Sequence, residues 1–232
     1  MASAGDAGTA DAAAPVKLWD LPVRLVHWAI VLLMAGSWWS AEEGDLTLHK
    51  QLGMMMLILI VFRLLWGLVG SSTARFGQFL RGPGTVLSYT RGLFGKAGEP
   101  IVGHNPLGGW SAMLLLLLLA AQVGLGLIAQ DTDGLESGPL NYLVDYDTAE
   151  WARETHELVF NVLLGLTAIH VLAIVFYLVF KRDNLLGAMV TGKRRFGAAV
   201  AAPKLAPWWL ALLCLFVAWA IGGWVWAGAP LP

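Results

Sequence analysis

Five long apolar stretches constrain this chain more than any other feature of its sequence. They cover residues 22–40, 52–70, 110–129, 158–180 and 207–228. Each holds about 19–23 residues, which at ~1.5 Å per helical residue is enough to cross a hydrocarbon core of ~30 Å. Such segments must satisfy their own backbone hydrogen bonds, and none alternates with the period of two that a barrel strand shows. The sequence therefore predicts an all-α transmembrane helical bundle in a lipid bilayer.

Acidic and basic residues are segregated between alternate loops. Bases lie before or at the start of the first span and in the second and fourth loops, namely Lys17, Arg24, Arg75, Arg81, Arg91, Lys96, Lys181, Arg182, Lys193, Arg194, Arg195 and Lys204. The first and third loops carry the acids Glu42, Glu43, Asp45, Asp131, Asp133, Glu136, Asp145, Asp147, Glu150 and Glu154, with Lys50 and Arg153 as exceptions. The positive-inside rule then predicts a cytoplasmic N-terminus and an external C-terminus.

The spans divide the chain into four segments. Residues 1–16 are rich in Ala, Gly and Asp and are predicted to form a disordered cytoplasmic tail without the basic start of a signal peptide. We assign 17–192 to a four-helix domain, 193–205 to a basic cytoplasmic linker and 206–232 to a fifth span with a short external tail. The only cysteine, Cys214, lies in the fifth span. A disulfide, a thiolate metal cluster and covalent haem attachment within the chain are therefore excluded.

Four of the five histidines pair by depth in the membrane. His156 and His170 share the fourth span, where fourteen residues place them roughly 40° apart in azimuth and ~21 Å apart along the axis. His27 lies inside the cytoplasmic start of the first span and matches His170. His49 opens the second span on the outer side and matches His156. Two stacked pairs that share one helix predict two bis-imidazole haems in a helical bundle.

Each histidine taken alone has a plainer interpretation, as an interfacial or hydrogen-bonded residue. A zinc site is a weaker alternative, because ligands ~21 Å apart cannot share one ion. His104 precedes the third span, where Asn105 and Pro106 predict a helix start. We expect His104 to be an exposed interfacial residue, with a role in quinone binding or proton handling as the alternative.

Two further residues of the second span are candidates for the same site. Gly53 and Arg63 share a helical stripe with His49. A glycine one turn from a ligand leaves room for a flat porphyrin, and Arg63 lies at the depth of the inner pair, where it would bind haem propionates. Alternatively, the glycine is a close helix contact and the arginine snorkels to the interface.

Four stretches resemble the bacterial cytochrome b561 family, which includes the cytochrome b subunits of nickel–iron hydrogenases. They are LWDLPVRLVHW, HKQLGMMMLILIVFRLLWGLVGS, GHNPLGGW and HELVFNVLLGLTAIH, and together they reach from about residue 17 to 192. The resemblance implies two non-covalent b haems held by His27, His49, His156 and His170. It also implies electron exchange with a membrane quinone in a bacterial inner membrane. The fifth helix departs from the four-helix pattern.

These observations lead to one preferred function and two alternatives. We predict an electron-transfer cytochrome between the quinone pool and a partner such as a periplasmic c-type cytochrome or a hydrogenase, with no nucleic-acid partner. The acidic outer loop of residues 131–155 suits a basic partner, although an ordinary solvated loop is the preferred interpretation of this segment. The alternatives are a stand-alone enzyme that oxidises superoxide or a small reductant and reduces quinone, and a membrane scaffold without haem.

Overall fold

The computed structural model describes residues 15–93, 101–197 and 199–230, and it is helical almost throughout. The elements in chain order are β1 (Val16–Lys17), α1 (Leu21–Glu42), α2 (Leu46–Val69), α3 (Phe76–Phe79), α4 (Pro83–Arg91), α5 (Pro106–Ile128), α6 (Tyr146–Val179), α7 (Leu185–Thr191), β2 (Lys193–Arg194) and α8 (Trp208–Trp226). Of the described helices, five are long and apolar enough to cross a membrane, namely α1, α2, α5, α6 and α8. The predicted all-α bundle is confirmed.

Side-chain caps fix where four of these helices begin. Asp20, Asp45, Asn105 and Asp145 each accept a hydrogen bond from the backbone N–H three residues later. Each bond satisfies a donor that the first helical turn leaves free. Proline also occupies the first turn of α1 and α5, where it costs no hydrogen bond. The helix start predicted at Asn105 is confirmed.

α6 is longer than the apolar stretch that predicted it. The stretch covers 158–180, whereas the helix runs over Tyr146–Val179 and has 34 residues. The outer loop predicted over 131–155 is correspondingly shorter, because its last part forms the first turns of α6. The rest of this loop contains a 3-10 turn at Asn141–Leu143.

The membrane helices form two halves. In the first half, α1 and α8 both pack on α2, and in the second half α5 packs along α6. α8 meets α2 through a buried stripe of small residues, and a Cβ atom on Gly222 would lie only 2.5 Å from Cγ1 of Ile58. The halves join where α2 meets α5, around a buried cluster of Met56, Ile60, Leu116, Leu119, Val123 and Leu163. Only 6% of the most apolar 18-residue stretch of α6 is buried inside the protein. α6 therefore relies mainly on α5 for its packing.

The two ends of the bundle differ in charge. We call one end the basic side, because it carries Lys17, Arg75, Arg194 and Lys204. The opposite side, with Glu42, Asp45 and Asp131, is the acidic side. On the basic side β1 pairs antiparallel with β2, with Val16 opposite Arg194. Residues 1–14 of the predicted disordered tail lie outside the described residues, and the tail's last residue, Val16, belongs to β1.

Candidate cofactor site

Two histidines meet across the two halves on the acidic side. His49 lies in the first turn of α2, just after the Asp45 cap, and His156 projects from α6. Their ring centroids are 6.0 Å apart and their planes are inclined at 74°. Two imidazoles on opposite sides of one metal ion have centroids about 6 Å apart, because each metal–nitrogen bond is about 2 Å and each centroid lies about 1 Å behind its nitrogen. The spacing therefore fits one iron between the rings.

Backbone carbonyl groups hold both rings of this pair. Nδ1 of His49 lies 2.8 Å from the carbonyl oxygen of Ser37, and Nδ1 of His156 lies 2.8 Å from that of Gln122. A carbonyl oxygen only accepts, so Nδ1 carries the proton in each ring and Nε2 keeps its lone pair. Hydrogen bonds of this kind orient metal-binding histidines and fix their tautomer. Both histidines are thus prepared to bind a metal through Nε2.

Glycines make room around the acidic-side pair. A Cβ atom on Gly126 of α5 would lie 3.0 Å from Cε1 of His156, so the bare backbone lets the imidazole lie against α5. At Gly53, one turn beyond His49, a Cβ atom would meet nothing within 4 Å in the described part of the chain. Gly53 therefore leaves open space one turn from His49, and its role in making room for a porphyrin stays a prediction.

Sequence reasoning missed Ser37, Gln122 and Gly126. Ser37 and Gln122 act through backbone carbonyls, which every residue has, so no residue type marks them. Gly126 belongs to a different helix from the histidine it accommodates. Only the packing of α5 against α6 shows their part in the site.

The second pair lies deeper, towards the basic side. His27 is on α1 and His170 is on α6, and they are close enough for His170 to act electrostatically on His27. Nδ1 of His27 is buried without a hydrogen-bond partner among the described residues. Nη1 of Arg63 is also buried and has no hydrogen-bond partner within the described ranges. Cζ of its guanidinium lies 5.0 Å from the ring centroid of Phe76. Buried polar atoms nearly always have a partner, so a ligand with acidic oxygens would satisfy the Arg63 guanidinium at this depth.

A buried aspartate fixes the helix ends around Arg63. Asp20, only 6% exposed, accepts a hydrogen bond from the backbone N–H of Val23 at 2.8 Å and another from Nε1 of Trp66 at 3.0 Å. The first bond caps α1, and the second joins α1 to α2 one turn beyond Arg63. The bond between Trp66 and Asp20 joins residues 46 positions apart and appears only in the packed bundle.

His104 does not lie exposed at the interface, which corrects the prediction from the sequence. Its ring packs between Trp19, with centroids 4.7 Å apart, and Phe79, with centroids 4.5 Å apart. Burial, followed by the nearby charges of Arg63 and His170, lowers the pKa of His104 to about 3, so the imidazole is neutral at physiological pH. The error arose because position in sequence before α5 does not reveal that the loop after α2 folds over this residue.

Haem fits the residues present at both depths. The acidic-side pair has the spacing and free Nε2 atoms for bis-imidazole ligation, with open space beside Gly53. Beside the basic-side pair, Nη1 of the Arg63 guanidinium is buried and has no hydrogen-bond partner in the described chain. Histidine pairs at two depths of a helical bundle, arranged in this way, are typical of membrane cytochromes of the b type.

The model of one protein family, prokaryotic cytochrome b561, matches residues 18–192. This match covers most of the chain, and the chain belongs to the prokaryotic cytochrome b561 family. It is therefore a multi-pass membrane cytochrome that binds haem b and takes part in electron transfer. No curated protein and no solved structure gives a significant match. The family resemblance drawn from the four sequence stretches is confirmed.

Proposed function

We propose that this protein carries electrons through two bis-histidine haems between the membrane quinone pool and a redox partner on the acidic side. The observation that carries the proposal is the His49–His156 pair, with centroids 6.0 Å apart and both Nδ1 atoms on backbone carbonyls. His27 and His170 provide the second pair. Moving one electron across the whole membrane involves ~2.3 kcal/mol per 100 mV of membrane potential, so the direction of flow would depend on that potential.

Each half of the bundle has a defined part in holding the cofactors. α1 and α2 supply His27 and His49, and α6 supplies His170 and His156. Bound haem iron supplies the one-electron chemistry, which no side chain of this set can provide. The Ser37 and Gln122 carbonyls keep the acidic-side rings in one tautomer, Gly53 leaves space, and the Arg63 guanidinium binds propionate oxygens.

The acidic side is the proposed docking face for the redox partner. Its third loop forms a narrow turn with a bridge between Gln130 and Ser137, and Glu136 of this turn forms an ion pair with Lys50. Lys50 directly follows His49, so the acidic turn lies beside the outer pair. A basic partner such as a periplasmic c-type cytochrome would be attracted to such a surface, and a hydrogenase is the other candidate partner.

The same ion pair weakens the alternative of an enzyme that oxidises superoxide. That function needs an open cationic approach to the outer haem, for which Lys50 and Arg153, the two bases of the first and third loops, are the candidates. Lys50 is neutralised by Glu136, and Nη2 of Arg153 lies 3.9 Å from Oε1 of Glu154. An anionic substrate would therefore meet a surface whose positive charges are balanced by neighbouring carboxylates.

Reduction by quinol tests the proposed function. We expect the purified protein, reconstituted in liposomes, to show reduced haem bands when a short-chain quinol is added. A soluble basic cytochrome c, added outside vesicles with the acidic side out, should reoxidise the haems. An absorbance spectrometer with stopped-flow mixing follows both steps. Haem bands that do not respond to any quinol would contradict the proposal, and a preparation without haem would favour the scaffold alternative.

Orientation in a bacterial inner membrane follows from the charges, with the basic side in the cytoplasm. We expect a C-terminal alkaline phosphatase fusion to be active and a C-terminal green fluorescent protein fusion to be dark. The same two reporters placed after Arg91, in the second loop, should give the opposite pattern and serve as the control. Active phosphatase at both positions would contradict the five-span orientation.

A further inference from the structure

A cavity of about 660 Å³ opens on the basic side, and His104 is part of its lining. Three segments line it: residues 72–81 after α2, residues 101–106 before α5 and residues 201–204 before α8. The first and third of these segments are joined, because the backbone N–H of Ser72 donates to the carbonyl of Lys204 at 2.9 Å. The backbone N–H of Lys204 donates in return to Oγ of Ser72 at 3.1 Å. The cavity is thus a built feature of the fold.

The lining of this cavity is cationic. Arg75, Arg81 and Lys204 supply three positive charges, and Ser72 and Gln78 supply further donors. Of the described residues that line the cavity, none is Asp or Glu. Without a carboxylate to balance it, this arrangement attracts an anion.

Two buried polar atoms at the cavity lack partners. Nε of Arg75 and Nδ1 of His104 are both buried and form no hydrogen bond within the described residues. The N–H at Arg75 Nε is an obligatory donor, because a guanidinium does not lose its proton. A donor buried in this way is expected to meet an acceptor, and the strongest acceptor for a guanidinium is a carboxylate or phosphate oxygen.

The position of the cavity indicates the source of that acceptor. The lining segments follow the end of α2 and precede the starts of α5 and α8, so the cavity lies at the membrane surface. Trp208 and Trp209 open α8 just beyond Lys204 and are 75% and 55% exposed. Exposed tryptophans at a helix start are typical of the headgroup level of a bilayer. Anionic phospholipids offer phosphate groups at this depth.

We propose that this cavity binds a phosphate group, and that the phosphate belongs to an anionic phospholipid of the surrounding leaflet. Arg75 supplies the buried contact through Nε, and Arg81 and Lys204 supply charge from the rim. A lipid held in this way would fasten the linker before α8 to the loop after α2.

A lipid titration of the purified, haem-loaded protein in neutral detergent tests the proposal. We expect short-chain phosphatidylglycerol to bind at least tenfold more tightly than short-chain phosphatidylcholine. Arg75→Gln should weaken phosphatidylglycerol binding by about tenfold, as expected for a lost charge-assisted hydrogen bond. Arg81→Gln, at an exposed position, should weaken it by less and is the variant of choice if Arg75→Gln does not fold. Arg91→Gln, exposed on the basic side at the end of α4 and outside the cavity lining, should bind as tightly as wild type.

The remaining outcomes separate the possible anions. Binding of inorganic phosphate as tight as that of phosphatidylglycerol would support an anion site but overturn its assignment to a lipid. Equal binding of the two lipids, or equal losses in the Arg75, Arg81 and Arg91 variants, would overturn the site. Loss of haem absorbance in Arg75→Gln would also overturn it, because the acceptor would then be a haem propionate.

Discussion

Replacing His49 or His156 by alanine should remove one and the same haem, and replacing His27 or His170 should remove the other. Wild-type protein should release two non-covalent haems per chain into acid acetone, and each single variant should release one. The expectation rests on the opposite directions of α1 and α2, which put His27 and His49 at opposite depths. The ~21 Å offset between His156 and His170 along α6 is far greater than one iron can bridge.

A redox titration of each variant in membranes distinguishes the two haems. The His49 and His156 variants should lack the same low-spin component, and the His27 and His170 variants should lack the other. His104→Ala is the control and should keep both haems, because its ring packs between Trp19 and Phe79 rather than against another histidine. Loss of the same component from His49→Ala and His170→Ala would refute the pairing.

Gly53→Leu should weaken binding of the acidic-side haem. A Cβ atom at this position would meet nothing within 4 Å in the described structure, so the polypeptide leaves open space where the new side chain begins. With a porphyrin in that space, the leucine side chain would clash with the porphyrin, and haem binding would lose about 1–3 kcal/mol of free energy. Haem affinity at the acidic-side site should fall about 5–150-fold, while the basic-side haem stays bound.

Gly124→Leu is the matched control for this substitution. Gly124 lies on α5 at a similar depth, is exposed, and a Cβ atom there would also meet nothing within 4 Å in the described chain. It should keep both haems, since its open space faces the outside of the bundle. Haem titration into each variant by difference absorbance gives the affinities. Equal affinities in the two variants would show that no porphyrin occupies the space at Gly53.

The sequence was sufficient for the fold because membrane spans obey a simple rule of length and polarity. All five apolar stretches became helices, and the start predicted at Asn105 was right. The start of α6 was missed because its first turns are polar, and hydropathy does not detect a helix that extends beyond the apolar core. The two-residue strands β1 and β2 were also missed, since pairing between residues so far apart has no local pattern.

For the site, the sequence predicted the side chains but not their surroundings. Depth alone paired His49 with His156, and their rings do meet, while the assignment of haems to these residues remains a prediction. The carbonyl groups that orient the rings could not be predicted, because they depend on how α1 meets α2 and how α5 meets α6. The burial of His104 likewise depends on Phe79, which reaches it from another segment.

The division of the bundle into two halves has a consequence for how the protein matures. Under the proposed ligation, each cofactor takes one imidazole from the α1–α2–α8 half and one from the α5–α6 half. Each cofactor therefore cross-links the two halves. α6, with little of its own surface buried, gains most from this cross-linking. On this proposal, cofactor delivery joins the two halves and completes the bundle. Chains that miss it would leave α6 loosely attached and open to membrane proteases, which would remove unloaded protein before it could meet its redox partner.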